Sequence, residues 1–180
     1  EYLSISNEGR GIILGGITGV PPSKVVILGA GTVAEYAARA ALGLGAEVKV
    51  FDNHIYKLRR LKHNVGTQLF TSTLDKTVLY HEIKQADVVI GALVAEDGRM
   101  PCMVEESVVA QMNPGSVIID VCIDQGGCFE TSELTSHSRP IFRKYDIIHY
   151  CVPNIPSRVP RTATSALSNI FTPILSEISK

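Results

Sequence analysis

Gly29-Ala30-Gly31-Thr32-Val33-Ala34 is a G-x-G-x-x-A run that directly follows the β-branched stretch Lys24–Leu28. Between a strand and a helix, this pattern can hold a pyrophosphate. The first glycine permits a tight turn, the second lets backbone approach a phosphate, and the small third residue lets helix and strand pack closely. Amides of the first helical turn then face the anion, helped by the positive end of the helix dipole. Gly29, Ala30, Gly31, Thr32, Val33 and Ala34 are therefore candidate cofactor-binding residues. A glycine turn alone also serves plain α/β geometry, and Asp52 adds the second signal. It ends the next strand, about 20 residues on, where a carboxylate accepts hydrogen bonds from ribose hydroxyls. The same carboxylate repels a 2′-phosphate, which favours NAD over NADP, while the nearby cations Lys57 and Arg59 work the other way. A solvated turn acid is the alternative for Asp52.

A second cluster, Asp124-Gln125-Gly126-Gly127-Cys128-Phe129-Glu130, follows the apolar run Ser116–Val121. In a doubly wound sheet this loop opens beside the nicotinamide end of a dinucleotide. Asp124 is the carboxylate best placed for proton transfer or for orienting a substrate nitrogen. Pattern alone favours a turn or cap acid there. Asp120, inside the strand, reads as structural. Leu93 and Val121 lie at strand ends, where they either pack on the cofactor or belong to the core. Asn154, between Pro153 and Pro156, either bonds a carboxamide or caps the turn. The histidines are scattered: His149 reads as a structural strand residue and His54 as a surface one. No metal site is expected, because Cys102, Cys122, Cys128 and Cys151 form no C-x-x-C pair and lack zinc-ligand spacing. Cys122 and Cys151 sit in apolar runs and read as reduced core thiols.

The elements that must position these residues alternate along the chain. Strands are expected at 24–28, 47–51, near 68–70, 88–92, 116–121 and 147–152. Helices are expected at 32–44, from 55 onward, at 75–85 and at 104–112. This order implies an α/β fold of Rossmann type, doubly wound, with a mainly parallel six-stranded sheet and ligand at the carboxyl ends of its strands. Residues 24–161 make up that domain. Residues 1–23, with a helix end and a Gly/Pro loop, read as a hinge. Residues 162–180 read as a connecting helix with Leu167, Ile170, Phe171 and Ile174 as its stripe, which Pro173 should kink. The 180 residues are 45% hydrophobic and 19% charged with net charge −1. That suits one globular domain and gives no reason to expect nucleic acid or an anionic membrane as partner. No apolar run approaches the roughly 18 residues a membrane span needs, and the first residues lack a secretory signal. A cytoplasmic protein without structural disulfides is expected. The missing initiator Met suggests a piece or a processed product.

The stretches 9–53, ADVVIGALV (86–94), IDQGGCFE (123–130) and HYCVPNIPSRVPRT (149–162) resemble the alanine dehydrogenase family. At greater distance, and less closely around Asp124, they resemble the α subunit of proton-pumping nicotinamide nucleotide transhydrogenase. The resemblance implies reversible, NAD-linked oxidative deamination of L-alanine to pyruvate and ammonia. It implies that Asp52 and Lys57 hold the adenosine half and that Leu93, Val121, Asn154 and Ile155 line the rest of the cofactor. It also implies that Asp124 is the catalytic aspartate. The stretch after Phe70 departs from the family pattern, so no contact is carried to Ser72. Family members are about twice as long, and their substrate-holding lysine, arginine and histidine lie in an N-terminal part that no run here supplies. The resemblance thus implies an excised cofactor domain, inactive alone, from a homo-oligomer that is commonly a hexamer. Two further readings share the turn and Asp52. A non-catalytic NAD-sensing module leaves Asp124–Glu130 unexplained, and an S-adenosylmethionine methyltransferase usually lacks the G-x-G-x-x-A step into a helix.

Overall fold

A computed structural model describes residues 1–66, 69–95 and 102–178. Seven strands form one sheet: β1 (Lys24–Leu28), β2 (Glu47–Phe51), β3 (Phe70–Ser72), β4 (Val88–Gly91), β5 (Val117–Asp120), β6 (Ile141–Lys144) and β7 (Ile147–Tyr150). Their spatial order is β3-β2-β1-β4-β5-β7-β6. All neighbours are parallel except the β6–β7 hairpin. The chain reverses direction across the sheet between β1 and β4, the crevice where a doubly wound fold takes its ligand.

Continuous apolar strands follow from burial on both faces. Val25 and Ile27 of β1 point to one side, where they meet Ala34, Ala38 and Ala41 of α1 (Thr32–Gly43) and Leu58 and Leu61 of α2 (Ile55–Val65). Val26 and Leu28 point to the other, against Leu79 and Ile83 of α3 (Lys76–Gln85) and Val108 and Val109 of α4 (Glu106–Val109). The alanine stripe of α1 has no bulk to hold the helix off the sheet, so β1 and the turn after it sit close beneath. Burying Leu58 or Leu61 is worth about 1.5–3 kcal/mol each. Asp75 caps α3 by accepting from the Val78 amide at 3.0 Å, a bond worth about 1 kcal/mol.

Four expectations are corrected. The sheet has a seventh strand, β6. Its hairpin turn is Tyr145-Asp146, with φ of 56° and 58°, a primed-turn geometry that glycine and asparagine usually signal and these residues do not. The third strand runs over Phe70–Ser72 rather than 68–70, and Gln68 lies outside the described residues. The helix expected at 104–112 is only Glu106–Val109, because Val104 is instead bridged to Phe129. The helix end expected in 1–23 is a single 3₁₀ turn at Ile5–Asn7. The last helix, α5 (Pro160–Ile178), runs on through Pro173 and buries no residue. Among the described residues no helix is long and apolar enough to cross a membrane.

One buried polar group ties the hairpin to the core. His149 is fully buried, stacked on Phe142 with ring centroids 4.7 Å apart. Its Nδ1 lies 3.1 Å from the Ile147 carbonyl and its Nε2 lies 2.9 Å from Thr131 Oγ1. A carbonyl only accepts, so Nδ1 carries the proton and Nε2 accepts from the threonine. Burial pushes the imidazole pKa below its ordinary 6.5. The unfolded chain therefore binds a proton that the folded chain refuses. The contribution is complete above pH 6.5 and is lost as pH falls through that value toward the folded pKa. Urea midpoints measured at pH 7.5 and 5.5 should fall for the native chain and fall less for His149→Gln; equal slopes would remove His149 as the cause.

Candidate functional site

The carboxyl ends of β1, β2, β4, β5 and β7 share one edge of the sheet, and the candidate residues gather there. Gly29 leaves β1 wedged between its neighbours. Its amide donates to the Phe51 carbonyl at 2.7 Å, and its φ is +107°. A Cβ at this position would lie 2.3 Å from the Ala92 carbonyl oxygen and 3.0 Å from the Leu93 nitrogen. Only glycine fits. Gly31 differs: its φ is −82° and ψ is −169°, which any residue adopts, yet a Cβ there would meet nothing within 4 Å. Open space thus lies over the first turn of a 12-residue helix, whose amides have no intrahelical partners. Thr32 and Val33 are exposed there, while Ala30 and Ala34 are buried beneath.

Asp52, 5% exposed, is not a solvated turn acid. Its Oδ2 accepts from the Ala30 amide at 2.8 Å, and its Oδ1 accepts from the His54 amide at 2.7 Å. His54 Nδ1 stands 3.0 Å from the same Oδ1, so this surface residue leans on the acid with its side chain 41% exposed. The carboxylate thereby staples the glycine turn to the end of β2. One lone pair of Oδ2 is left over in this count, enough for a single hydroxyl donor. Lys57 lies on the first turn of α2, half-buried.

The second group is equally compact. After β5 the chain makes a 3₁₀ turn, Val121–Gln125, and then Gly126 and Gly127 with φ of 104° and 79°. Asp124 is exposed on this turn, and its two oxygens accept from the Asn154 amide at 3.2 and 3.3 Å. Asn154 adopts left-handed backbone, φ 49° and ψ 51°, and Ile155 opens the next 3₁₀ turn. Gln125 Oε1 accepts from the Ala95 amide at 3.0 Å, and Cys122 Sγ donates to the Leu93 carbonyl at 3.3 Å. Three strand ends are therefore laced together around Asp124. Leu93 and Val121 are half-buried at their edges.

Gln125 and Asp120 carry more of this arrangement than their sequence positions suggest. Asp120 is fully buried and accepts from the Cys122 amide, the Cys128 amide and the Ser132 hydroxyl at 2.9, 3.0 and 2.6 Å. Its bond to the amide two residues on repeats that of Asp52 to His54. Asp120, Cys122 and Cys128 place possible ligand atoms within 4.8 Å of one another. Hydrogen bonding with Cys122 and burial push the Cys128 thiol well up, and the carboxylate accepts from two amides, the Ser132 hydroxyl and, at 3.8 Å, the Cys128 thiol. These groups form a hydrogen-bonded core beneath the loop.

Over its residues 1–180 the chain matches the family described as Alanine dehydrogenase/PNT, C-terminal domain. It belongs to that family. Curated relatives include alanine dehydrogenase of Mycolicibacterium smegmatis, 45% identical over 99% of this chain and 48% of that protein. Alanine dehydrogenase of Mycobacterium tuberculosis is 43% identical over the same shares. The chain thus spans about half the length of the curated relatives it matches. A solved L-alanine dehydrogenase superposes with a TM-score of 0.93 at 42% identity, covering 99% of this chain and 49% of that one. A transhydrogenase from Sinorhizobium meliloti, at 20% identity and a TM-score of 0.81 over 98% of this chain and 52% of that one, shares the fold.

The family implies a nicotinamide dinucleotide, and the residues of this domain fit one. A Cβ at Gly31 would meet nothing within 4 Å, the kind of opening that lets backbone approach a pyrophosphate. The two glycines of the turn should therefore separate in stability. Gly29→Ala should cost about 1–3 kcal/mol from backbone strain alone, with the Ala92 clash added, and should lower the melting temperature. Gly31→Ala should leave it nearly unchanged. A melting curve for each variant checks this, and equal destabilisation would contradict the geometry.

Proposed function

We propose that this chain is the NAD-binding domain of an L-alanine dehydrogenase, a cytoplasmic homo-oligomeric enzyme that interconverts L-alanine with pyruvate and ammonia. The observation that carries the reading is the open space above Gly31, at the amino end of α1, with Asp52 stapled beside it. Gly29–Ala34 would take the pyrophosphate through backbone amides. Asp52 would accept from a ribose hydroxyl with its remaining lone pair, and Lys57 would flank the adenosine half. Leu93, Val121, Asn154 and Ile155 would line the other half.

Asp52 supports NAD over NADP, although Lys57 and Arg59 nearby work the other way. A buried carboxylate with two amides already on it has no room to retreat from a 2′-phosphate, and like charges at short range repel strongly where water is scarce. The nicotinamide, when bound, supplies the two-electron redox chemistry. Asp124 is the proton-handling group of this domain. The Asn154 amide holds its carboxylate at the mouth, and its other lone pairs face outward, where they can orient an amine or accept a proton from it or from attacking water.

Residues 1–23 serve in this reading as a hinge segment, residues 24–161 as the cofactor domain, and α5 as an interdomain helix. The support is the stripe of Leu167, Ile170, Phe171, Ile174 and Leu175, each between 47% and 63% exposed, on a chain half the length of its relatives. The substrate domain and the residues that grip pyruvate belong to the other half.

Binding and turnover measurements test this. The purified 180-residue chain should bind NADH in a fluorescence titration, bind NADPH at least about tenfold more weakly, and turn over no alanine. Gly31→Ala should weaken NADH binding while keeping the fold, and unaltered affinity would remove the turn from the site. In the full-length protein, Asp124→Asn should lower kcat by about 10²-fold or more, the typical worth of a positioned acid or base. A full rate in that variant would take Asp124 out of the chemistry.

A further inference from the structure

The carboxylate that sets Asp124 in place is buried eight residues before Cys128 and four before Asp124 itself. We propose that Asp120 is a positioning residue of the active site, holding the Asp124 loop in its working geometry; this rests on the functional reading above. Asp120 Oδ1 accepts from the amide that opens the loop, Cys122, at 2.9 Å, and Oδ2 from the amide that closes it, Cys128, at 3.0 Å. Seven residues, 122–128, are thus pinned at both ends by one side chain, and Asp124 stands within them.

The surroundings leave that side chain no alternative position. Ser132 Oγ donates to Oδ2 at 2.6 Å. A Cβ on Gly127 would lie 2.8 Å from Oδ2, and a Cβ on Gly91 would lie 3.1 Å from Oδ1 and 2.5 Å from Cys128 Sγ. Two glycines are therefore spent on making room for the carboxylate and its thiol neighbour. The loop in turn reaches both flanking strand ends. Gln125 holds the Ala95 amide beyond β4, and Asp124 receives the Asn154 amide beyond β7. A shift at Asp120 would move Asp124 relative to both.

An asparagine has the same shape and the wrong polarity. One of its two termini becomes an N–H donor facing an amide or a hydroxyl that also donates, and the loop must move to relieve the opposition. Displacing a reacting group by about 1 Å can cost about 10²-fold in rate, while the phosphate turn, anchored by Asp52 just after β2, is untouched. The predicted signature is a loss in kcat without a matching loss in cofactor affinity.

The test uses the full-length protein with Asp120→Asn and Ser132→Ala. Asp120→Asn should lower kcat for alanine oxidation at least about tenfold per folded molecule. Its NADH dissociation constant should stay within about threefold, and the kinetic isotope effect with Cα-deuterated alanine should rise as chemistry becomes slower than release. Ser132→Ala, which keeps the carboxylate and both amide bonds, should show the same pattern more weakly. An unchanged kcat, or a fall in kcat matched by an equal fall in NADH affinity, would reduce Asp120 to a fold residue. If Asp120→Asn does not fold, Ser132→Ala decides between the same two outcomes. A native protein that turned over no alanine would instead overturn the function proposed above, independently of Asp120.

Discussion

Amides that leave a strand and turn inward at the edge of a sheet must find acceptors there, and two aspartates meet that demand in the same way. Each accepts from its own i+2 amide with one oxygen and from a distant loop amide with the other: Asp52 from His54 and Ala30, Asp120 from Cys122 and Cys128. A buried amide left unpaired costs about 1–3 kcal/mol. A carboxylate suits the task because it is acceptor on both sides and offers about four lone pairs from one short side chain. No neutral residue of that size does both.

The rest of the site follows from where these two staples stand. Asp52 joins the turn after β1 to the end of β2, so Gly29 is held against Phe51 and Ala92 and cannot drift from its position. Asp120 closes the loop after β5 on itself, so Asp124 is presented from a fixed base. Rigidity lies below, in buried carboxylates and filled contacts. The working surfaces lie above, in the open space at Gly31 and the exposed oxygens of Asp124. Binding through backbone amides requires this division, since a turn free to move would lose its orientation each time a ligand arrived.

What could be read from the residues was whatever is local or periodic. The glycine turn, Asp52 at its spacing, and the alternation of β-branched runs with amphipathic ones gave the fold type and five of the strand positions closely. Strand β6 escaped because its turn, Tyr145-Asp146, takes left-handed backbone without a glycine or asparagine to announce it, and because a four-residue edge strand carrying Arg143 and Lys144 looks like a polar loop. Asp120 read as structural from its place in a strand, and its burial agrees, but its partners are spread from Cys122 to Ser132 and only the folded loop brings them together. His54 keeps a side chain 41% exposed, as a surface residue should, but its contact with Asp52 carries no pattern until the acid is known to be buried. Contacts formed across ten or more residues leave no periodic trace.

Helix α5 sets the boundary of what this half of the fold explains. Each of the other amphipathic helices lays its stripe on the sheet, whereas α5 buries no residue and leaves Leu167, Ile170, Phe171, Ile174 and Leu175 toward solvent. An apolar stripe in water contributes nothing to stability, and helices owe most of their stability in proteins to packing of such a face. Pro173 removes one internal hydrogen bond besides. A helix with this composition is therefore built to be covered. In the reading proposed above, the cover would be the substrate domain. The same helix would then join the domain that binds the cofactor to the one that grips pyruvate.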